Sequence, residues 1–453
     1  MKNKYSICRI DITVRLWLLL TVIVLMSFLP LHAQQSNTPV FTLNHCIETA
    51  LKNNPQIQAS VLTVEESRAR ISEVKAGYYP TMSLSASSSQ STWENGAGGT
   101  GATSRDNWNS GLSARYVIFQ GFKTVSAVNA AEANFQANGA QHQTNQQDLV
   151  VRVTEAYYRL LQVERLVQVA EQSVQRAQIH LDFSNALFNA GLASRSDILK
   201  AKVAQSDARL ALIRASNAQL AAQGQLNLQM GRAVQLPLKI VDDLETVGSF
   251  AESSFILDER QLEKHLKIAF ENRPELERIG QQIKAQQANI RFARSDYFPT
   301  VSVDGSYSYA GETVSDLNAS SYIGMSLSVP LFSGFSRPAR VKQEHLALRN
   351  LNQQQESLHQ QIGLEVWNAY LQVKEAVERV ANSRIFYENA LENRNIAEGE
   401  YREGVGSMLD VIDAQTAFVT AEQTLIEALA DYKIALAALD RAVGTKNFEE
   451  IVE

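Results

Sequence analysis

The feature that most constrains this chain is that it is written twice. The segment from Ala50 to Thr81, which opens ALKNNPQIQ and closes AGYYPT, aligns without a gap with Ala269 to Thr300, which opens AFENRPELE and closes SDYFPT. Pro55 falls on Pro274 and Tyr79-Pro80 on Phe298-Pro299. Further along, Phe119-Gln120-Gly121-Phe122 meets Phe332-Ser333-Gly334-Phe335 and Ala156-Tyr157 meets Ala369-Tyr370. Phe188, Gly191, Asp197 and Ala201 then meet Tyr401, Gly404, Asp410 and Ala414, and Gly231 meets Gly444. A six-residue difference between Pro80 and Phe119 accounts for the whole register. A chain of 453 residues would suggest about three cores of ordinary size. The duplication replaces them with one unit of roughly 190 residues used twice.

Each copy reads helix, two strands, a very long helix and another helix. After Pro299, Val301, Val303, Gly305, Tyr307 and Tyr309 alternate with Ser302, Asp304, Ser306 and Ser308. The return strand sets Ile323, Met325, Leu327 and Val329 against Tyr322, Gly324, Ser326 and Ser328, and in the first copy Met82, Leu84 and Ala86 are answered by Leu112, Ala114, Tyr116 and Ile118. This dyad suits a membrane barrel whose aromatic girdle is Trp93, Trp108, Tyr309 and Tyr322, and equally a soluble sandwich. The run Gly96 to Gly101 imitates a phosphate-binding G-x-G-x-x-G, but it lies between strands and reads as an exterior hairpin loop. Beyond Phe122 and Phe335 the period changes to that of a helix. Leu149, Val153, Tyr157, Leu160, Val163, Val167 and Val174 are matched by Ile362, Val366, Tyr370, Val373, Val377 and Val380. No proline interrupts residues 123–187 or 339–402, so each can be a helix about 95–100 Å long, with a coiled-coil seam and one polar side.

The N-terminus carries an address. Lys2, Lys4, Arg9 and Arg15 precede an uncharged run from Leu16 to Leu29, and Pro30 to Ala33 closes it, as in a secretory signal peptide. Removal of residues 1–33 takes four cations and Asp11, turning the formal charge of -6 into -9, and it removes Cys8, leaving Cys46 as the single thiol. A disulfide scaffold and a nucleic-acid partner are both excluded. No later stretch approaches the ~20 apolar residues of a membrane helix, so membrane insertion requires strands. Four strands per chain cannot close a barrel. Two chains would give eight, a filled interior; three give twelve, which leave a lumen. The seven histidines show no metal-binding spacing, and His142 and His180 read as solvated on a polar helix. No nucleophile motif or cofactor cradle is found, so no catalytic residue, metal or cofactor is expected.

Asn53-Asn54-Pro55, YYPT and YFPT at the strand openings, FQGF and FSGF at their exits, and the segments 188–201 and 401–414 together resemble the TolC-like outer-membrane efflux protein family. The resemblance runs from Thr42 to Gly444. It implies a mainly α fold with a membrane β part, in which duplicated α-helical hairpins form a trimeric α-barrel beneath a twelve-stranded β-barrel. It also implies an exit duct of a tripartite efflux or type I secretion system, spanning outer membrane and periplasm. The implied partners are a homotrimer, a periplasmic adaptor, an inner-membrane pump driven by protons or ATP, and outer-membrane lipid. The expected division is signal 1–33, first repeat 34–231 with strands about 80–119 and hairpin 123–231, linker 232–261, second repeat 262–444 with strands about 299–332 and hairpin 336–444, and tail 445–453. The alternative is a periplasmic coiled-coil adaptor, which would need one hairpin flanked by compact β domains, whereas here the hairpin occurs twice with strand pairs between.

Both hairpin tips carry a glycine stop and a Ser-x-x-Asp start: Gly191 with Ser194 and Asp197, and Gly404 with Ser407 and Asp410. Helix capping alone is sufficient for the two aspartates. It does not explain why Asp413 stands where the first copy has Lys200, giving the second tip two acids one turn apart. In a trimer these would form two acidic rings. The resemblance assigns Asp410 and Asp413 to periplasmic selectivity rings, Asp197, Glu398 and Tyr401 to the closed-tip network, and Gly191, Leu192, Gly404 and Val405 to the adaptor-docking tips. Gly406 departs from the pattern, which places a basic latch there, so Arg195 or Arg402 is expected to substitute.

Overall fold

The structure, a computed structural model, describes residues 40–94, 102–244 and 259–445. The signal segment and the Gly96–Gly101 loop lie outside the described residues.

In the body that begins at Phe41, each half opens with two helices broken at a proline. Helix α1 (Leu43–Asn53) stops before Pro55 and α2 (Pro55–Lys75) starts on it, because the residue before proline is pushed to an extended backbone while proline at the first helical position loses no needed N–H. Asn54 uses both ends of its amide. Its oxygen accepts from Gln56 N–H at 2.9 Å, and its nitrogen donates to the Gln229 carbonyl at 2.9 Å. That carbonyl is the last of helix α4 (Arg195–Gln229), which follows the first long helix, α3 (Lys123–Asn189). In the second half Arg273 stands at the corresponding break, between α5 (Glu259–Asn272) and α6 (Pro274–Ser295). Its guanidinium donates to the Ala442 carbonyl at 3.0 Å, near the end of helix α8 (Met408–Val443), which pairs with the second long helix, α7 (Ser336–Arg402). The NNP and NRP motifs therefore cap the returning helices.

Between the helices four long strands, β1 (Thr81–Glu94), β2 (Ala102–Gln120), β3 (Thr300–Gly311) and β4 (Asn318–Ser328), form one antiparallel sheet in the order β1-β2-β3-β4. Thr81 faces Arg115 in the first hairpin and Thr300 faces Ser328 in the second, the same register. One face carries Met82, Leu84, Leu112, Val303, Ile323 and Met325, with Leu84 81% and Ile323 82% exposed. Such a continuous uncovered apolar face is what lipid-facing strands present. Trp108 and Tyr309 share it. Tyr322 does not: it pairs with Ser306 on the serine-lined face, so it is no part of the apolar-side girdle. The register decides this, because Tyr322 is separated from Ile323 by one residue of a period-two strand.

Helices α3 and α7 each run for 67 residues, about 100 Å. Each is entered through two consecutive left-handed residues, Gly121-Phe122 (φ 62 and 64) and Gly334-Phe335 (φ 61 and 64). A phenylalanine there costs about 1–2 kcal/mol, and the edge-to-face contacts Phe119–Phe122 and Phe332–Phe335 offset part of it. The expected stripe forms the cores: Leu149, Val153, Tyr157 and Leu160 pack with Leu226, Met230, Cys46 and Ala50, and Ile362, Val366, Tyr370 and Val373 with Leu439, Val443 and Ala269. Helix α6 lies between the starts of both long helices, where Asp296 just past its end accepts from Lys123 at 2.9 Å and pairs with Arg340 at 3.2 Å. Its counterpart α2 packs chiefly on α3. Val128, Ala130, Ala133 and Ala137 of α3 are buried, while no residue of α7 from 336 to 361 is. No described helix is long and apolar enough to cross a membrane.

Candidate functional site at the helical tips

The two turns that end α3 and α7 are built alike. After Asn189, Gly191 adopts φ +73, its N–H donates to Phe188 O at 2.9 Å, and Leu192 N–H reaches back to Leu187 O at 2.9 Å. After Arg402, Gly404 adopts φ +77, and Val405 and Gly406 both donate to Glu400 O, at 2.9 and 3.0 Å. This wrap satisfies the last carbonyls of the helix, and only glycine enters it without strain. Leu192 and Val405 stand out at the tips, 77% and 80% exposed.

Capping boxes then start the return helices. Ser194 Oγ accepts from Asp197 N–H at 3.3 Å, and Asp197 Oδ2 accepts from Ser194 N–H at 3.0 Å and from its hydroxyl at 2.7 Å. Ser407 and Asp410 repeat the arrangement at 3.3, 3.0 and 2.7 Å. The serine hydroxyl and then the serine N–H hold both carboxyls below the ordinary aspartate range, with Lys200 adding to this at Asp197. One oxygen of each is thus spent on the turn. Asp413 takes no part in the cap and is exposed one turn further along α8.

Glu398 and Tyr401 sit on α7 three residues apart and do different work. Tyr401 is buried against Leu181, Ala201, Met408 and Val411, edge-on to Phe183 with centroids 5.7 Å apart, so it joins α3, α4, α7 and α8. Its hydroxyl is buried with no hydrogen-bond partner among the described residues. Glu398 collects three bases: His180 Nε2 at 3.7 Å, Arg402 at 3.8 Å and Arg394 at 3.9 Å. His180 is therefore not a solvated histidine. Burial lowers its pKa against the pull of Glu398, which leaves it uncharged at neutral pH. His142 is likewise engaged, with Nδ1 2.7 Å from Ser60 Oγ.

Gly406 has a local reason. A Cβ there would lie 3.0 Å from Glu400 Cβ and 3.1 Å from Tyr401 N, so the turn disfavours any side chain. Arg402 lies 3.8 Å from Glu398 one turn away on the same helix, while Arg195 is exposed at the first position of α4. The repeat did not reveal Arg176 and Arg394, whose guanidinium carbons lie 5.5 and 4.1 Å from the ring centroid of Phe418. Arginines on two different helices, α3 and α7, give no sequence signal of an aromatic they share on α8.

The family model described as outer membrane efflux protein matches residues 46–232 and 266–445. Protein CyaE of Bordetella pertussis is 26% identical over 410 residues, covering 89% of this chain and 84% of the relative. Outer membrane protein TolC of Escherichia coli K12 is 23% identical over 426 residues, covering 89% and 82%. A crystal structure of CusC superposes with a TM-score of 0.76 at 19% identity, covering 90% of this chain and 93% of that one. The chain belongs to the outer membrane efflux protein family. It is an outer-membrane exit duct, a transport conduit and not an enzyme.

Proposed function

We propose that three copies close into a duct whose twelve strands line the outer membrane and whose long helices form a periplasmic tunnel gated at the tips. The observation that carries this is the seam between the two halves of one chain. There β2 pairs with β3, and Gly121 packs so tightly on the second half that an added Cβ would lie 2.6 Å from Phe298 Cβ and 2.7 Å from Ser295 O. Gly334, the counterpart of Gly121, has nothing within 4 Å, and strands β1 and β4 are open edges. The uncovered face of α7 from 336 to 361 lacks the second helix that α3 receives. A copy related by rotation supplies all three, with its α2, its β1 and its Tyr79 region in the places of α6, β3 and Phe298. Open strand edges are untenable in lipid, which favours ring closure.

In this ring Asp410 and Asp413 form paired acidic rings, Asp197, Glu398 and Tyr401 hold the tips together, and the exposed Gly191-Leu192 and Gly404-Val405 turns dock a periplasmic adaptor that links the duct to an inner-membrane pump. Within the chain Arg115 faces Asp304. The repeat carries that pairing to Ser328 opposite the partner's Ser85. Oxidation of the Ser85→Cys/Ser328→Cys double variant should give a covalent trimer ladder in denaturing gels, and monomer alone would refute the ring. In bilayers, Asp410→Ala/Asp413→Ala should lose block by multivalent cations; unchanged block would remove the gate from these residues.

A further inference from the structure

Short neutral side chains make up most of the polar face of the sheet, which also carries Tyr322. Along β1 it presents Thr81, Ser83, Ser85, Ser87, Ser89 and Ser91. On β2, β3 and β4 it is mostly serine, asparagine and glycine. Among the described residues two ion pairs interrupt it. Arg105 and Glu312, 2.8 Å apart, lie at the loop end and are about equally exposed. The other pair lies deep in the sheet, where Arg115 Nε is 3.4 Å from Asp304 Oδ1 across the seam between the two halves.

This inner pair is lopsided. Asp304 Oδ2 accepts from Ser302 at 2.9 Å and from Ser326 at 3.3 Å, and Arg115 Nη2 approaches Ser302 Oγ at 3.5 Å. The carboxylate is thus held on both sides by β3 and β4, and its side chain is 35% exposed against 59% for the arginine. Gly324, directly across from Asp304, has no side chain, and the Tyr322 phenol occupies the space one would need. The result is a recess of about 350 Å³ lined by Thr81, Ser83, Ser113, Ser306 and Tyr322, with the guanidinium as its most exposed charge. A cross-strand ion pair needs only its two members to support a sheet. The two serines and the missing side chain at Gly324 do more: they anchor the acid and leave the base accessible.

We propose that Arg115, positioned by Asp304, is a cargo-facing contact for anionic groups such as carboxylates and phosphates, at strand level and far from the tips. This rests on the duct reading, which makes the serine-lined face the lumen. Three copies place three guanidiniums around one level of the conduit. In the seam between copies the equivalent positions are Ser328 and Ser85, so each chain contributes a single pair. The field of such a ring reaches about 10 Å at 0.1 M salt and about 3 Å at 1 M. Its influence on permeating ions is therefore salt-dependent, and plugging by an altered fold is not.

The test is the reversal potential of reconstituted channels under a KCl gradient. At 0.1 M mean salt, Arg115→Gln should shift selectivity toward potassium and Asp304→Asn toward chloride. The double variant should return near the parent, and all four should converge at 1 M. A second readout leaves the pair intact: Ser113→Cys, on the same face, is modified with a negatively or positively charged thiosulfonate while Cys46 is fully buried and silent. The two labels should shift the reversal potential in opposite directions. Conducting channels whose reversal potential at 0.1 M ignores both Arg115→Gln and the labels would overturn the proposal. Absence of the cross-linked trimer from the Ser85→Cys/Ser328→Cys variant would instead overturn the ring that makes this face a lumen.

Discussion

Asp440 is a buried acid near the end of α8, and burial pushes its pKa up to about 7. Its counterpart in the first half is Asn227, whose amide nitrogen donates to Leu236 O at 2.8 Å. Asp440→Asn therefore installs the residue that the other half already uses. An acid with a raised folded pKa stabilises the fold in its protonated form relative to its ionised form. The penalty is absent below the unfolded value near 3.8 and complete above about 7. At about 1.4 kcal/mol per pK unit, the parent should lose on the order of 2–3 kcal/mol per chain between pH 5 and pH 8 from this group alone. The variant should not. Thermal midpoints of detergent-extracted protein at pH 5, 6.5 and 8 measure it: the variant should gain on the parent as pH rises, with most of the gain between 5 and 7. A difference between the two that stays constant across that range would refute the assignment of an ionisable burial cost to Asp440.

Two further outcomes follow from backbone geometry and capping. Gly231→Ala should destabilise by about 2 kcal/mol or more, since it combines a left-handed φ of +69 with a Cβ 2.5 Å from Asn53 O, whereas Gly139→Ala, in a helix with open space, should stabilise by about 1 kcal/mol; opposite shifts of the melting midpoint are the readout. Ser194→Ala should cost about 1 kcal/mol at neutral pH. Part of that loss is the hydroxyl's bond to the Asp197 carboxylate, which is held low; that part is present above the unfolded pKa and fades as pH falls through the folded one, so the gap between parent and variant should narrow in strong acid without closing, because the Ser194 Oγ bond to Asp197 N–H does not titrate.

What was legible in the sequence was whatever is local and periodic. The stripes through Leu149 and Ile362 announce long helices because burial recurs every three or four residues, and Ser194-x-x-Asp197 with Ser407-x-x-Asp410 announces caps because the partners are three residues apart. Strand alternation places Met82 and Ile323 on one face, whereas grouping by aromatic type sets Tyr322 in the girdle although its parity belongs to the serine side. On α3, crowded with glutamine and alanine, His180 reads as solvated; its partner Glu398 lies on the other hairpin. Arg115 and Asp304 were hidden for the same reason. They meet only because β2 pairs with β3 across the duplication, and nothing in the spacing of either strand encodes that meeting.

The tight nesting of Gly121 on Phe298, beside the bare Gly334, separates two events by reaction order. The first junction joins parts of one chain, so it forms at a rate independent of how much protein is present. The second, in a ring, joins different chains and is paced by their abundance in the membrane. A bulky residue at Gly121 would act on each newly exported chain alone and send it to proteolysis at any expression level. The same residue at Gly334 would spare the single chain and be partly rescued by overproduction, so two glycines that read identically in the sequence would report on different stages of biogenesis.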